Sequence, residues 1–213
     1  MPETVRFYFS FRSPYSWLAF VRIDAALAGL PVTLDRIPVF PPPNFPNDPS
    51  KIPAKATYIR TDVGRIAEAY GLAYQMPAKL DCEWVRPHAA FVFAKDAGKD
   101  LDFGNALFAA RWSRGLDVGE NPVMQAAAVS VGLDATALLA AADDEAFHKR
   151  VWEGMIQAAG EDGIFGVPYF VFRGDRYWGN DRIEWLVRAI RRVHGMPVAD
   201  LSDPLTPLDR PGV

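Results

Sequence analysis

Thiol chemistry is almost absent from this chain: among 213 residues, Cys82 is the single cysteine. That excludes an intramolecular disulfide, a C-x-x-C redox pair and a cysteine-rich zinc site. Histidine is scarce as well. His88, His148 and His194 stand far apart, with no second histidine one helical turn away, so no metal is expected. The chain has no surplus of positive charge. The formal net charge is -3 and the basic residues are scattered, apart from a short cluster at Arg188, Arg191 and Arg192, so nucleic acid is excluded as a partner. No apolar run reaches the roughly 20 residues that span a membrane, which excludes a membrane partner. Met1 leads into a strand-like stretch without a basic segment and an apolar signal core, so the expected compartment is the cytoplasm.

What is present is apolar and aromatic. Half of the residues are hydrophobic, enough for one large domain or a core domain carrying an insertion. The organising stretch runs from Val5 to Ala19. Aromatic and β-branched residues crowd Val5-Arg6-Phe7-Tyr8-Phe9-Ser10-Phe11 and predict a buried strand, and Ser13-Pro14 predicts the start of a helix with Ser13 as N-cap and Pro14 at the first helical position. At such a cap, orphan N–H groups and the positive end of the helix dipole converge, so an anion beside Ser13 is stabilised. A thiolate is one such anion. The spacing Ser13-Pro14-Tyr15-Ser16 is that of the C-P-x-C motif of thioredoxin-like oxidoreductases, with both sulfurs replaced by hydroxyls.

The helix from Tyr15 to about Ala28 stops at Gly29, and Pro31 to Pro38 alternates like a strand, giving a right-handed β-α-β unit with parallel strands. Residues 39–53, with prolines at 41, 42, 43, 46, 49 and 53, predict a loop in which Asn44 and Asn47 are polar candidates. From Ala54 to about Gly163 the pattern is helical. Helices are predicted from Ala54 to Tyr70, Pro87 to Lys99, Leu101 to Arg114, Asn121 to Val131 and Asp134 to about Ala159. Strand character returns at Ile164 to Arg173, turns at Gly174-Asp175, resumes at Arg176 to Trp178 and leads into a last helix near Asn180-Asp181. The fold class is α/β, in the order β-α-β, helical insertion, β-β-α. The parts are a core domain of residues 1–39 and 164–196, a loop and helical insertion of 40–163 and a Pro-rich tail of 197–213. A cis bond before Pro168 would turn the Val167 N–H and C=O outward, free to pair with an extended peptide.

Taken together, Phe7-Tyr8-Phe9 through Ser13-Pro14-Tyr15-Ser16-Trp17-Leu18-Ala19, Lys55-x-x-Tyr58-x-x-x-Asp62-x-x-Arg65 with Tyr70-Gly71, Phe165-Gly166-Val167-Pro168 and Trp178-Gly179-Asn180-Asp181-Arg182 resemble one family over nearly the whole chain. It is the thioredoxin-like family that contains 2-hydroxychromene-2-carboxylate isomerase and the kappa-class glutathione transferases. The resemblance implies a DsbA-like thioredoxin fold, glutathione as cofactor and a homodimer. It assigns Ser13 to the catalytic serine that holds the glutathione sulfur, Val167 to the backbone that pairs with the tripeptide before cis-proline Pro168, and Asn180 and Asp181 to the γ-glutamyl end. Lys55 falls at the family's lysine position, and Asn44, with Asn47 as alternate, at its loop asparagine.

The activity implied is isomerisation of a small aromatic acid, a 2-hydroxychromene-2-carboxylate, to its open-chain trans-benzylidenepyruvate by reversible thiolate addition. Arg86 or Lys79 is then the candidate for the substrate carboxylate, with Trp84, Phe40 and Trp112 as candidate walls. A kappa-like transferase and a glutathione- or peptide-binding relic without turnover are the alternative functions.

Overall fold

In the computed structural model of the protein, residues 2–41 and 51–198 are described; Asn44, Asn47 and nearly all of the Pro-rich tail lie outside them. The strands are β1 (Glu3–Phe9), β2 (Val32–Pro38), β3 (Tyr169–Phe172) and β4 (Asp175–Trp178). They form one sheet in the order β2-β1-β3-β4, with β1 and β2 parallel and the other two pairings antiparallel. Helix α1 (Pro14–Leu27) crosses between β1 and β2, and α8 (Ile183–Val193) follows β4 after a 3-10 turn at Asn180–Arg182. Between β2 and β3 lie α2 (Pro53–Ala69), α3 (Val85–Asp96), α4 (Asp100–Phe108), α5 (Asn121–Ser130), α6 (Ala135–Ala142) and α7 (Glu145–Gly160). This is a thioredoxin-like fold with a large helical insertion.

The apolar run of β1, interrupted at Arg6, follows from burial on both faces. Val5, Phe7 and Phe9 join Phe170 and Phe172 in the main core with α1, α3 and α4, whereas Tyr8 packs with Ile37, Tyr169, Val171 and Ala158 of α7 on the other face. Phe7 stacks on Phe170 at 4.7 Å and Phe9 meets Phe91 edge-on at 4.9 Å. Period 2 places Arg6 on the same face as Tyr8. The β3–β4 turn has positive φ at Arg173 (51°) and Gly174 (85°), as the twist of a two-residue hairpin requires.

Three boundaries differ from the sequence reading. The helix predicted over 134–159 is two helices, because the Asp144 carboxylate accepts the Ala146 N–H at 2.6 Å and caps a new start, overriding the alanine-rich propensity around it. The helix predicted over 101–114 ends in a π turn at Ala109–Ser113, where the Arg114 N–H reaches back to the Ala109 carbonyl at 3.1 Å. Strand β3 starts at Tyr169 rather than Ile164. The residues ahead of it form the turn around the cis Val167–Pro168 bond, and Pro168 has no N–H for a ladder.

Candidate active site

Ser13 leaves β1 in extended conformation (φ -96°, ψ 117°) and caps α1, its Oγ accepting the Ser16 N–H at 3.2 Å with Pro14 in the first turn. The same hydroxyl donates to the Val167 carbonyl at 3.3 Å, across 154 residues of chain. Ser16, in the place of a second thiol, is buried, and its Oγ accepts the Ser10 N–H at 3.3 Å. Ser13 is thus the only one of the two motif hydroxyls left partly open to solvent.

Val167 precedes a cis proline, and among the described residues its N–H has no hydrogen-bond partner. The Gly179 N–H donates to the Pro168 carbonyl at 3.0 Å, fastening this turn to the start of the last helical segment. Gly166 is glycine because the Trp178 indole lies on it: a Cβ there would stand 2.8 Å from Nε1. Upstream, Asp162 receives Arg6 through Nε at 2.7 Å and Nη2 at 2.5 Å, and the Tyr8 hydroxyl at 2.6 Å. Burial raises the Asp162 carboxyl pKa, but the hydrogen bonds from Arg6 and Tyr8 outweigh this and hold it below the usual carboxylate range.

Acidic groups gather beside the first turn of α1. The Tyr15 hydroxyl donates to Asp62 at 2.7 Å, and its pKa is pushed up by burial first and then by Asp62, with Tyr58 and Asp181 adding to the effect. Asp181 is exposed and pairs with Arg182 at 2.5 Å. Asn180, expected to meet a ligand carboxylate, is instead buried: its Oδ1 accepts from Arg22 at 3.4 Å and its Nδ2 faces the Tyr70 hydroxyl at 3.5 Å. Lys55 is exposed in the first turn of α2.

The residues read as substrate contacts are each engaged by other groups of the protein. Arg86 donates to Asp143 at 2.6 and 3.0 Å, to the Gly119 carbonyl at 2.6 Å and to Asn121 at 2.6 Å, tying α3 to α5 and α6. Trp84 is buried, its Nε1 donating to Asp81 at 3.2 Å with the Arg111 guanidinium over its ring. Trp112 is buried too, Lys79 pairs with Asp117 at 3.1 Å, and Phe40 packs against His88 and Trp152. Tyr15, Asp62, Asp162 and His88 are near-site residues that the sequence reading did not assign to the site, whereas Trp112, read as a wall, bonds the Phe11 carbonyl two residues from Ser13. Only Tyr15 carried a local signal, its place inside the Ser13–Ser16 motif.

No helix among the described residues is long and apolar enough to cross a membrane, and no group of three or more Asp, Glu, His or Cys among them is placed to hold a metal.

These features define a thioredoxin-like protein whose anion-stabilising cap and cis-proline turn persist while the redox sulfurs have become hydroxyls. The chain belongs to the DsbA-like thioredoxin domain family, whose model matches residues 4–191. It is 27% identical over 193 residues to the 2-hydroxychromene-2-carboxylate isomerase of Sphingobium xenophagum, covering 87% of this chain and 97% of that protein. A protein of the same name from Pseudomonas putida is 27% identical over 195 residues, covering 89% and 95%. A solved structure of a 2-hydroxychromene-2-carboxylate isomerase matches with a TM-score of 0.76 at 25% identity, covering 90% of this chain and 96% of that one.

Proposed function

We propose that this protein is a glutathione-dependent isomerase acting on a 2-hydroxychromene-2-carboxylate or a close analogue. The carrying observation is the 3.3 Å contact between the Ser13 hydroxyl and the Val167 carbonyl at a helix start, beside a Val167 N–H with no partner among the described residues. The fit to glutathione rests on that unpaired N–H, which suits a peptide carbonyl, and on the carboxylates of Asp62 and Asp181, which suit an ammonium. Bound glutathione supplies a thiolate whose reversible addition to a conjugated double bond lets that bond rotate.

The chain's own groups do the rest. The Ser13 hydroxyl rotates freely, so the proton it gives to Val167 in the free protein can be redirected to an anion at the cap. Together with the first-turn N–H groups of α1, it stabilises the charged form of a thiol and lowers its pKa. Lys55 and Asn44 are the groups that the family resemblance assigns to the remaining glutathione polar atoms. Asn180 serves from beneath, holding the turn through Arg22 and Tyr70 while Asp181 faces out.

Ser13→Ala should lower turnover by about 10- to 1000-fold, as expected on removal of one oriented donor at a developing charge. Turnover should require glutathione in catalytic amount only. Undiminished turnover in the variant, or full activity without glutathione, would sink the proposal. Thiol consumed in step with an electrophile would assign a transferase instead.

A further inference from the structure

Phe11 lies two residues before Ser13, and both of its peptide groups are held by the helical insertion. Its N–H donates to Nε2 of His88 in α3 at 3.4 Å, and its carbonyl accepts Nε1–H of Trp112 at 3.0 Å. The partners lie 77 and 101 residues further along the chain. The His88 Nδ1–H donates to the Trp84 carbonyl at 2.5 Å, which leaves Nε2 as the acceptor and fixes a neutral ring. Of the two bonds the Trp112 one is shorter and takes the larger share.

Trp112 sits in the π turn, a device that re-aims side chains relative to an uninterrupted helix. Its own carbonyl accepts the Gln75 N–H at 2.8 Å. Arg111, its neighbour, is buried, and among the described residues it has no carboxylate in hydrogen-bond reach. It donates to the carbonyls of Lys79 at 2.9 Å, Leu116 at 3.4 Å and Leu80, with its guanidinium over the Trp84 and Trp112 rings. The backbone of the turn from Ser10 to Ser13 is otherwise closed by short-range bonds, Ser13 N–H to the Ser10 carbonyl at 3.0 Å and Arg12 N–H to the Ser10 hydroxyl at 3.3 Å, while the Arg12 side chain reaches out to Asp81 at 2.7 Å. Such a turn keeps its shape but can pivot as a unit. The Phe11 peptide groups are where the insertion grips the backbone of that turn, with the half-exposed Arg12–Asp81 pair as a weaker side-chain tie.

We propose that Trp112 and His88 are positioning residues for Ser13, setting where its hydroxyl stands relative to the Val167 carbonyl by gripping Phe11 from both sides. This rests on the reading of Ser13 as the anchor of the glutathione sulfur. A buried tryptophan and a buried histidine in an ordinary core need one partner each anywhere. Here both converge on a single residue beside the site.

The test is a four-protein cycle in the full chain: wild type, Ser13→Ala, Trp112→Phe and the double variant. Two quantities are read. One is the pKa of the bound glutathione thiol, followed by ultraviolet thiolate absorbance; the other is kcat. Trp112→Phe keeps an aromatic ring and removes the donor, so it should raise the bound thiol pKa by about one and lower kcat about tenfold, with little change in KM. In the Ser13→Ala background it should change neither. An equal loss in both backgrounds, or an unmoved thiol pKa, overturns the proposal. Failure of the wild type to bind glutathione, or no effect of Ser13→Ala alone, overturns the functional reading instead. If Trp112→Phe does not fold, His88 supplies the same test: His88→Gln retains an acceptor and should match the wild-type thiol pKa, whereas His88→Leu should raise it. Equal values in those two variants count against the proposal.

Discussion

Ser13 stands between two anchors made of opposite materials. On the Val167 side the anchor is charged: Asp162, buried, receives Arg6 and Tyr8 of β1 and fixes the chain leading into the cis-proline turn. On the Phe11 side the bonded groups are neutral, a histidine and an indole on the peptide groups of one residue, the histidine set among Phe9, Phe40 and Trp84. The charged anchor draws its strength from desolvated ion pairing, so loss of one member leaves an uncompensated charge. The neutral anchor depends on a ring that must stay unprotonated. Acid therefore attacks the two at different points.

The largest effect that separates them is acid destabilisation. Burial pushes the His88 pKa down from 6.5 to about 4. In the unfolded chain the same ring protonates near 6.5, so between 6.5 and about 4 the unfolded state binds more protons and stability falls as pH falls. The loss should be on the order of 3 kcal/mol, complete near pH 4. Asp162, whose pKa is depressed, keeps its contribution across that window and loses it only at lower pH. Urea midpoints measured from pH 7 to 4 should decline in the wild type and decline less in His88→Gln. Parallel curves would mean that His88 is not held neutral.

Breaking the charged anchor comes next. Asp162→Asn should cost about 2 kcal/mol, at the low end for a buried pair because Arg6 is a third exposed, and should lower Tm by roughly 4–8 °C. A shift below about one degree would show that water screens this pair like a surface one. The smallest effect belongs to Arg86, whose partner Asp143 is more than half exposed. Arg86→Lys should cost about 0.5–1 kcal/mol and leave the KM for the aromatic acid unchanged. A raised KM would return Arg86 to the substrate site.

What was legible in the sequence was local or carried by backbone chemistry. Ser13 and Pro14 announce a cap because the hydroxyl and the imino acid each suit one position of a helix start, and Arg173–Gly174 closes a hairpin where the glycine marked a turn. The Val167–Pro168 turn was legible for the same reason. The neutral anchor was not, because a histidine in an apolar helix looks like any buried histidine until the Phe11 N–H is placed opposite it. Arg86 looked available because its partner lies 57 residues away. Asn180 was matched to a ligand by the family resemblance, and the partners that turn its amide inward, Arg22 and Tyr70, lie far off in sequence.

Cys82 lines an open pocket of about 380 Å³ together with Lys79, Glu83, Arg86, Asp117 and Glu120. Burial first, and then the neighbouring Asp117 charge, pushes its thiol up to about 12. At neutral pH it therefore stands almost wholly as the thiol. Attack on a disulfide needs the thiolate, so glutathione disulfide, however abundant, finds almost nothing here to capture. Cys82 should pass through an oxidising episode without being glutathionylated.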